Sequence, residues 1–516
     1  MKKIKNIHSI KKIGITIFCS IFFITVLVSC DNSTDEIENP VDNSKAEIVV
    51  KTSEIINANY IGNGVQWDPY PQAYKFWNQP ISEQDWETLY NRLNVMKPSF
   101  VRVVYDAYDK YADGNEDAYN PERFIEGLEK VLQYCQDNNI TVMLGNWGYG
   151  QVNPNNGGSI FENRIENAAK YLDFLVNTKG FTCIKYYNTV NEPNLGGSAT
   201  EGNYELWKNT TLFFYDKMLE RNLESKVKLA GPDIAVFNLS TDIQWITKSV
   251  NDFGNKIGIY DIHTYPSKGS MFSGEYENVL KTVKDNIPTG TEIIIGEFGF
   301  KYETGNSNLD KELANENSNN INSNPNIAKD SNTLVKTFEH GVDIISLTMK
   351  IVNAGYSGSI NWGLDDAMHS GTTSGTDLKT WGFWNILGNE LFNNPDDENL
   401  RPHFYTYSLL TRYMQNGTKV FKVDVPRRTG LDAIAVEKDG KYMIAINNIH
   451  KDDYEIMLSI DNLAELNELK QFLFKKENRK QDANGYPLPE KENMSFKSGE
   501  KLTIAGQTLV LLTNMD

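Results

Sequence analysis

The stretch IKYYNTVNEP, residues 184–193, is the starting point for predicting the fold. It is a short apolar and aromatic run that ends in the polar pair Asn191-Glu192, directly before Pro193. A run of this length and composition is typical of a buried strand in a parallel sheet. Because Pro193 cannot donate to a strand ladder, the strand should end there and leave a carboxylate at its C-terminal end.

Seven more runs of this kind occur along the chain, separated by helix-like stretches. The eight predicted strands are 61–67, 100–105, 141–147, 184–191, 227–232, 259–265, 292–298 and 358–362. Eight strand–helix units over residues 57–400 predict an α/β fold, the (β/α)₈ or TIM barrel. A doubly wound open sheet is disfavoured, because Gly62 and Gly64 lie within the first strand and not in a phosphate-binding loop after it.

The sequence changes in character after residue 400. Strand-like segments recur at short spacing over residues 401–516, which predicts a C-terminal all-β sandwich domain. The early segment 46–56 is a possible additional strand of that sandwich. Residues 304–331, directly after the seventh strand, are rich in Asn and Ser and have no apolar period. We expect a long loop there, either a functional lid or a disordered insert.

The first 45 residues are predicted to direct export and anchoring. A lysine-rich opening precedes an apolar run, 13–28, and Ser29-Cys30 follow it. The pattern indicates a signal peptide over residues 1–29. The cysteine after it resembles the lipobox of bacterial lipoproteins, in which Cys30 would be lipidated. Residues 30–45 are polar and acidic, as expected of a flexible tether.

This N-terminus predicts a lipid-anchored protein at the outer membrane or cell surface of a Gram-negative bacterium. A periplasm-facing orientation is left open, and a plain N-terminal membrane anchor is the alternative. The anchor makes the membrane one expected partner, and a glycan substrate, argued below, is the other.

Net charge, cysteine content and metal-binding motifs limit the partners and cofactors that the sequence predicts. The chain of 516 residues has a formal net charge of −17, which argues against a nucleic-acid partner. Beyond the predicted lipidation site only Cys135 and Cys183 remain, and a disulfide or two buried free thiols are both compatible with the sequence. No HExxH, EF-hand or CxxC pattern occurs, so catalysis is expected to need no metal and no cofactor.

Polar or aromatic side chains stand at the C-terminal ends of most predicted strands, where a barrel places its reactive groups. Burying them separately would cost roughly 2–7 kcal/mol each. A shared polar cavity at the barrel mouth accounts for them better. The residues are Arg102 on the second strand and, at strand ends, Asn146, Trp147, Asn191, Glu192, His263, Tyr265, Glu297 and Trp362.

Two of these ends carry glutamates, Glu192 on the fourth strand and Glu297 on the seventh. They would face each other across the mouth. Glycoside hydrolysis requires two opposed carboxyl groups in different environments, one protonated to assist the leaving oxygen and one ionised to attack or stabilise the anomeric carbon.

Both glutamate motifs resemble those of the clan A retaining glycoside hydrolases. Residues 189–193, TVNEP, are similar to the fourth-strand Asn-Glu-Pro motif of that clan, and residues 295–299, IGEFG, to its seventh-strand nucleophile motif. The segment 403–413 is similar to the passage from barrel to sandwich in glycoside hydrolase families 30 and 39. The resemblance, which extends to family 5, covers roughly residues 57–400 and singles out no one family. Asn146-Trp147 departs from the histidine that some members have on the third strand.

The resemblance implies a role for each matched residue. Glu192 would be the acid/base and Glu297 the nucleophile. Arg102 beside Glu297 would lower its pKa and keep it ionised, and Asn191 would bind the sugar 2-OH. The other predicted substrate-binding residues are Asn146, Trp147, His263, Tyr265 and Trp362. Trp67 is a candidate subsite or core residue, and Asp365 and Asp366 are expected to be solvated loop acids.

The sequence therefore predicts a retaining glycoside hydrolase that cleaves β-linked glycans through a covalent glycosyl-enzyme intermediate. Surface anchoring suits a polysaccharide too large to import, which favours endo action. Two alternatives are kept. One is a non-catalytic glycan-binding lipoprotein, which would have no need of both carboxylates. The other is an exo-acting β-glycosidase on oligosaccharides, whose cleft the 304–331 insert would close at one end.

Overall fold

The computed structural model describes residues 46–70, 81–112, 115, 117–155, 157–301, 307–369, 377–426 and 430–516. The predicted signal peptide, the tether and Cys30 lie outside the described residues. The described residues belong to one compact unit. Among them, no helix combines the length and apolar character needed to cross a membrane.

Both domains of the described chain are built around β-strands. In chain order they are β1 (Glu47–Tyr60), β2 (Gly62–Gln66), β3 (Phe100–Tyr105), β4 (Thr141–Asn146), β5 (Val152–Asn153), β6 (Ser159–Ile160), β7 (Ile184–Asn188), β8 (Lys228–Ala235), β9 (Ile257–Thr264), β10 (Ile293–Phe298), β11 (Gly358–Asn361), β12 (Thr418–Asp424), β13 (Leu431–Lys438), β14 (Lys441–Asn448), β15 (Tyr454–Ile460), β16 (Glu465–Phe474), β17 (Lys491–Lys497), β18 (Glu500–Ile504) and β19 (Thr508–Thr513).

Helices fill most of the connections between the barrel strands. They are α1 (Glu83–Met96), α2 (Ala107–Lys110), α3 (Glu126–Asp137), α4 (Glu162–Asp173), α5 (Tyr204–Glu220), α6 (Leu239–Phe253), α7 (Lys268–Ser273), α8 (Glu275–Asp285), α9 (Asn308–Ser323), α10 (Phe338–Asn353), α11 (Gly388–Phe392) and α12 (Pro402–Tyr413). Helix α1 begins at a capping box, in which Ser82 accepts from the Asp85 backbone N–H and Asp85 accepts from that of Ser82.

Eight parallel strands close into a barrel in the order β10-β11-β2-β3-β4-β7-β8-β9. Each of the eight predicted runs overlaps one of these strands, so the (β/α)₈ prediction is confirmed. The fifth predicted strand stopped too early, at residue 232, whereas β8 continues to Ala235.

Alternation along the strands separates an apolar layer inside the barrel from a polar layer above it. Phe100 and Ile259, near the starts of β3 and β9, belong to one buried apolar cluster. Two residues beyond Phe100 comes Arg102, and beyond Ile259 come Asp261 and then His263, all fully buried. Since side chains two apart share one face of a strand, the polar groups collect toward the C-terminal ends.

A second, mostly antiparallel sheet has nine strands in the order β17-β16-β19-β14-β13-β12-β1-β15-β18. Strand β1, which contains all of the predicted segment 46–56 except its first residue, pairs antiparallel with β12 and parallel with β15. The N-terminal part of the described chain thus lies in the interior of a sheet that otherwise comes from its C-terminal part. The predicted fold class, a TIM barrel with an all-β domain, is confirmed.

An ion-pair cluster joins the two domains at the end of the barrel away from the mouth. Lys350 on α10 lies 2.5 Å from Glu277 on α8 and 3.2 Å from Asp432 on β13. The Ser346 hydroxyl also donates to Asp432. These groups border a cleft of about 730 Å³. The charges there hold the sheet against the barrel.

The region 304–331 is not the long loop that the sequence predicts. Residues 304–306 lie outside the described residues, but Asn308–Ser323 form α9, with Ser307 as N-cap. Its Asn317 amide donates to the Ser331 carbonyl at 2.9 Å and accepts from the Thr333 N–H at 2.7 Å. A helix whose buried face is polar has no apolar period, which is why the sequence pattern missed it.

The two cysteines that the sequence left open are both free and buried. Cys135 lies on α3 and Cys183 directly before β7. Burial raises the pKa of both thiols above its usual value, so neither is a reactive thiolate.

Candidate active site

One buried arginine stands at the centre of the barrel mouth. Arg102 on β3 has no exposed surface. Its Nη1 donates to Glu297 Oε2 at 2.9 Å and to Gln66 Oε1 at 2.5 Å. Its Nη2 donates to Asn191 Oδ1 at 2.6 Å and to Asp233 Oδ2 at 3.1 Å. A single guanidinium therefore links groups carried by four different barrel strands or the loops after them.

Glu297, near the end of β10, is held at both carboxylate oxygens. Arg102 donates to Oε2, and the Tyr265 hydroxyl donates to Oε1. The Glu297 side chain is only 9% exposed. Strong donors on both oxygens fix its orientation in the mouth.

Gly296 precedes this glutamate because the neighbouring strand leaves no room for a side chain. A Cβ atom at position 296 would lie 2.1 Å from Asp261 Oδ1 on β9. Asp261 is fully buried, and neither of its carboxylate oxygens has a hydrogen-bond partner within the described chain. Burial, and then the charge of Asp233, raise the pKa of Asp261 well above its usual value. The raised pKa favours the neutral form of Asp261, which lies two residues before His263 on β9.

Glu192 follows β7 in a left-handed backbone conformation with φ 46°. For a non-glycine residue this costs on the order of 1 kcal/mol. The Glu192 N–H donates to the Asp233 carbonyl at 3.1 Å, which holds the turn in place. The side chain is 20% exposed, so Glu192 is the more accessible of the two glutamates.

His263 lies between the two glutamates. Its Nδ1 is 3.0 Å from Glu192 Oε1 and 3.7 Å from Glu297 Oε2. One atom from each of these three side chains lies within 4.8 Å of the other two. The two carboxylates therefore approach to within 4.8 Å. Such a close approach of the nearest oxygens is compatible with the ~5–5.5 Å that separates the carboxyl groups of retaining glycosidases.

Asp233 is a site residue that the sequence reading missed. It follows Gly231-Pro232 in β8, is fully buried and has φ 60°. Besides Arg102, the Asn188 amide donates to it at 2.5 Å, and His263 Nε2 lies 3.2 Å from its Oδ1. The sequence signal that could have found Asp233 is an acid directly after Gly231-Pro232. The fifth predicted strand ended at Pro232, one residue before it.

The buried charges compensate one another. Burial alone would raise the pKa of Asp233, but Arg102 and His263 outweigh it and hold that pKa below its usual value. Burial would lower the pKa of His263, but Asp233 and then Glu297 raise it well above its usual value. His263 is therefore an imidazolium that donates from Nδ1 to Glu192 and from Nε2 to Asp233.

The predicted effect of Arg102 on Glu297 is only partly right. The contact exists, and Arg102 does pull the pKa of Glu297 downward. Burial and the charge of Glu192 push it up, however, and together they outweigh His263, Arg102 and Tyr265. The net pKa of Glu297 is raised. The prediction from sequence considered how the nearby cation lowers the pKa. It did not consider burial, which removes water from around the carboxylate and raises the pKa.

Glu192, His263 and Glu297 are close enough to hold a metal ion, and so are Asp233, Asp261 and His263. Arg102 opposes such use, because its guanidinium already lies 2.9 Å from Glu297 and 3.1 Å from Asp233. A second cation there would face the arginine across a low-dielectric interior. The donor set fits an arginine–carboxylate network better than a metal centre.

Aromatic rings line the mouth beside this network. Trp362, just past β11, is 8% exposed and packs at 4.9 Å from the His369 ring. Trp147, just past β4, contacts the same histidine edge-on at 6.4 Å. His369 Nε2 lies 2.8 Å from Asp68 Oδ2. His369 had no sequence signal, because it is an isolated loop residue whose neighbours come from distant strands.

The other tryptophans divide between the mouth and the core. Trp381 packs edge-on against Tyr265 at 5.6 Å, next to the site. Trp67 is fully buried against Trp86 of α1 and Tyr134 of α3, so the possible subsite role for it is wrong.

Asp365 and Asp366 are not the solvated loop acids that were expected. Each is only 2% exposed. Asp365 accepts from the Tyr70 hydroxyl and the Trp384 indole N–H, both at 2.9 Å. Asp366 forms a buried ion pair with Arg401. Both acids hold the loop after β11, which carries His369.

Six of the predicted site residues form one connected network, and three do not join it directly. Asn146 is buried, and its Oδ1 accepts from the Gly148 N–H at 3.0 Å. Its Nδ2 has no partner within the described residues. A sugar contact by Asn146 stays a prediction. The connected residues are Arg102, Asn191, Glu192, His263, Tyr265 and Glu297, and Trp147 and Trp362 are joined to each other through His369.

Comparison by sequence gives no relative, since neither a protein-family model nor a curated protein matches the chain. Solved structures do match. An endoxylanase of glycoside hydrolase family 30 from Clostridium papyrosolvens C71 has a TM-score of 0.58 at 13% identity, covering 90% of this chain and 99% of that one. An endo-β1,6-glucanase has a TM-score of 0.60 at 13% identity, covering 92% and 94%.

A family 39 β-xylosidase from Caulobacter crescentus is also similar, with a TM-score of 0.56 at 10% identity, covering 90% of this chain and 99% of that one. These matches span both domains. They show that the protein has the fold of these glycoside hydrolases, a (β/α)₈ barrel with an attached β-domain.

Proposed function

We propose that this protein is a retaining glycoside hydrolase that acts on β-linked glycans. The observation that carries the proposal is the pair Glu192 and Glu297, which approach within 4.8 Å in different environments. Glu297 is buried and held by two donors, whereas Glu192 is partly exposed beside His263. Two carboxyl groups placed in this way meet the requirement for retaining hydrolysis.

In the first step Glu297 attacks the anomeric carbon while the bond from that carbon to the leaving oxygen breaks. Glu192 gives its proton to the leaving oxygen. Arg102 and Tyr265 orient the attacking carboxylate. The product is an ester between Glu297 and the sugar, and Glu192 is left ionised next to the His263 imidazolium.

In the second step Glu192 removes a proton from water, and the water oxygen attacks the anomeric carbon. The ester bond breaks, and Glu297 leaves as a carboxylate that Arg102 and Tyr265 again stabilise. Loss of the Glu297 charge in the intermediate is what lets Glu192 act as a base, since the two charges repel when both are present.

The β-linkage and endo action are the finer parts of the proposal. Two of the similar proteins are named for β-linked substrates, an endo-β1,6-glucanase and a β-xylosidase. An exo-acting β-glycosidase is the alternative within the same chemistry. A glycan-binding protein without catalysis is the alternative outside it. The pair of opposed carboxylates, one buried and one partly exposed, argues against that alternative, because a binding protein does not need both.

The test is release of reducing ends from a panel of β-linked polysaccharides, comparing the wild type with Glu192→Gln and Glu297→Gln. Both changes are nearly isosteric, and circular dichroism checks the fold. We expect one polymer to be cut and both variants to lose several orders of magnitude. Binding without cleavage, unchanged in both variants, would replace the hydrolase by the binding protein.

A second experiment separates the two roles. With an aryl glycoside that has a good leaving group, Glu192→Ala should still form the glycosyl-enzyme, because little proton donation is needed. Added azide should then restore turnover and give a β-glycosyl azide. Glu297→Ala should not give that product. The reverse pattern would exchange the two assignments.

We also propose that the mature protein is anchored at the cell surface or outer membrane through a lipid on Cys30. The support is the N-terminal sequence, a basic opening followed by an apolar run and Ser29-Cys30. The full-length chain should incorporate labelled palmitate and fractionate with membranes. Cys30→Ala should lose both properties while keeping activity, and equal labelling of both proteins would refute the anchor.

A further inference from the structure

Among the described residues, the most exposed aromatic side chains all lie in loops that follow the C-terminal ends of barrel strands. The sequence contains 26 Tyr, 24 Phe and 9 Trp. Among the described residues only four aromatic side chains are at least 36% exposed: Tyr119, Phe124, Tyr149 and Phe237. All four lie in loops that follow the C-terminal ends of β3, β4 or β8. Strands β4 and β8 flank β7, the strand that leads to Glu192.

Tyr149 is fixed on one side of Glu192. It lies three residues past β4, and its ring is 49% exposed. The Tyr149 hydroxyl donates to the Gly197 carbonyl at 2.6 Å, in the loop after β7. That loop contains Glu192, whose carbonyl accepts from the Leu195 N–H at 3.1 Å. The ring is therefore tied to the same loop that carries the proposed acid.

Phe237 lies on the other side. It is two residues past β8 and 51% exposed. The preceding Val236 N–H donates to the His263 carbonyl at 2.9 Å, and the Phe237 N–H donates to Asp242 at 3.0 Å. Lys301, beyond the end of β10, places its ammonium 5.5 Å from the ring. A rigid backbone thus presents an apolar ring and a cation together beside the site.

We propose that Tyr149 and Phe237 form the binding surface for the leaving-group saccharide, one ring on each side of Glu192. The inference rests on the proposed function, in which Glu192 protonates the leaving oxygen. The part of the substrate that departs must then lie next to Glu192. Flat aromatic faces suit the C–H faces of sugar rings, and a nearby ammonium suits their hydroxyls.

This surface favours substrates whose leaving group is itself a chain of sugars, in preference to substrates with a small leaving group. Binding energy from remote sugars contributes to the reaction only when those sugars are present. Loss of either ring should weaken cleavage of long substrates strongly and of short aryl glycosides much less, since a phenol leaving group can contact only a small part of a surface that accommodates several sugars.

The test compares kcat/KM of Tyr149→Ala and Phe237→Ala on two substrates, an aryl monoglycoside and a long oligosaccharide of the same sugar. Tyr149→Phe and Phe237→Tyr keep the rings and serve as conservative variants. Leu219→Ala is the control for removing an exposed apolar side chain, since Leu219 is 42% exposed at the end of α5. Binding of the long oligosaccharide is measured calorimetrically in the Glu297→Gln background.

We expect each alanine variant to lose about tenfold in kcat/KM on the long substrate and less than about twofold on the aryl glycoside. Phe237→Tyr and the control should behave as the wild type, and Tyr149→Phe, which keeps the ring but loses its hydrogen bond to Gly197, should lose less than Tyr149→Ala. Equal losses on both substrates, or no loss on either, would overturn the proposal. If the wild type cleaves neither substrate, the proposed hydrolase activity is refuted. Calorimetry then tests the binding surface by itself. Weaker binding by the alanine variants supports the surface, and unchanged binding refutes it.

Discussion

Arg401 and Arg102 are both buried and both pair with buried carboxylates. The two clusters differ in how completely their polar groups are hydrogen-bonded. Arg401 holds Asp366 in the loop after β11, and both Asp366 oxygens are satisfied, Oδ2 by Arg401 and Oδ1 by Arg401 and the Trp381 and Gly382 N–H groups. Arg102 binds several groups at the barrel mouth, but its Nε has no hydrogen-bond partner within the described residues. The carboxylate oxygens of Asp261, in the layer below, have none either.

The difference separates a structural cluster from a chemical one. A saturated ion pair fixes a loop and has nothing left to react. A cluster that leaves groups unsatisfied and carboxylates partly accessible is costly to fold, and proteins keep such clusters at functional sites. The mouth also holds the left-handed residues Glu192 and Asp233, so backbone strain is added to electrostatic strain.

The largest effect should come from breaking the saturated cluster. Arg401→Gln leaves Asp366 as an uncompensated buried charge, which should cost about 3–5 kcal/mol of unfolding free energy. Urea unfolding followed by fluorescence measures it. Activity per folded molecule should fall less than in the Arg102 variant, because Arg401 affects the mouth only through the loop that carries His369. A loss below about 1 kcal/mol would show that the pair is dispensable.

The matching change in the mouth should act on catalysis. Arg102→Gln removes the donor that orients Glu297 and stabilises it when it leaves the sugar, so kcat/KM should fall about 10²–10³-fold. The rate is measured on an aryl glycoside, with circular dichroism as the check of fold. Activity within about tenfold of wild type would contradict the central place given to Arg102.

A smaller effect tests the close approach beneath Glu297. Gly296→Ala puts a methyl group where the Asp261 carboxylate lies, at 2.1 Å from Oδ1. Such overpacking should cost about 1–3 kcal/mol in stability. In the double variant Gly296→Ala/Asp261→Ala the clash is gone, so the total should be less than the sum of the single effects. Additive losses would place the strain elsewhere.

The subtlest effect is on pH dependence. The acid limb of kcat/KM should report ionisation of Glu297 and lie above the ordinary glutamate range, because burial and Glu192 raise the pKa of Glu297. The His263 imidazolium, 3.7 Å away, favours the ionised form. His263→Gln should therefore raise that pKa further and move the acid limb to higher pH, with a rate loss of about tenfold. An unmoved limb, or one moved to lower pH, would contradict this charge balance.

Much of the fold follows from local sequence pattern. Eight apolar runs and the helical stretches between them predict the barrel, because each pattern is set by which face of an element is buried. The two glutamates could be predicted for the same reason, since Glu192 and Glu297 end such runs.

What the sequence did not reveal depends on contacts between distant segments. The partner of Asp366 is Arg401, and the partner of His369 is Asp68, from the other end of the barrel sequence. The pKa of Glu297 is raised because burial and the charge of Glu192 outweigh the effects of His263, Arg102 and Tyr265, and this balance depends on the folded structure. Helix α9 buries Asp310 and Asn317 and only one apolar residue, Ala314, which removes the periodic signal on which the prediction relied.

The most direct test of the account is to trap the glycosyl-enzyme. The protein is treated with a 2-deoxy-2-fluoro glycoside of the sugar that the polysaccharide panel identifies, digested and analysed by mass spectrometry. We expect one added fluoroglycosyl group, located on Glu297, and loss of activity in step with labelling. Glu297→Gln should not be labelled. Turnover of the sugar without any covalent adduct, or an adduct on Glu192, would contradict it.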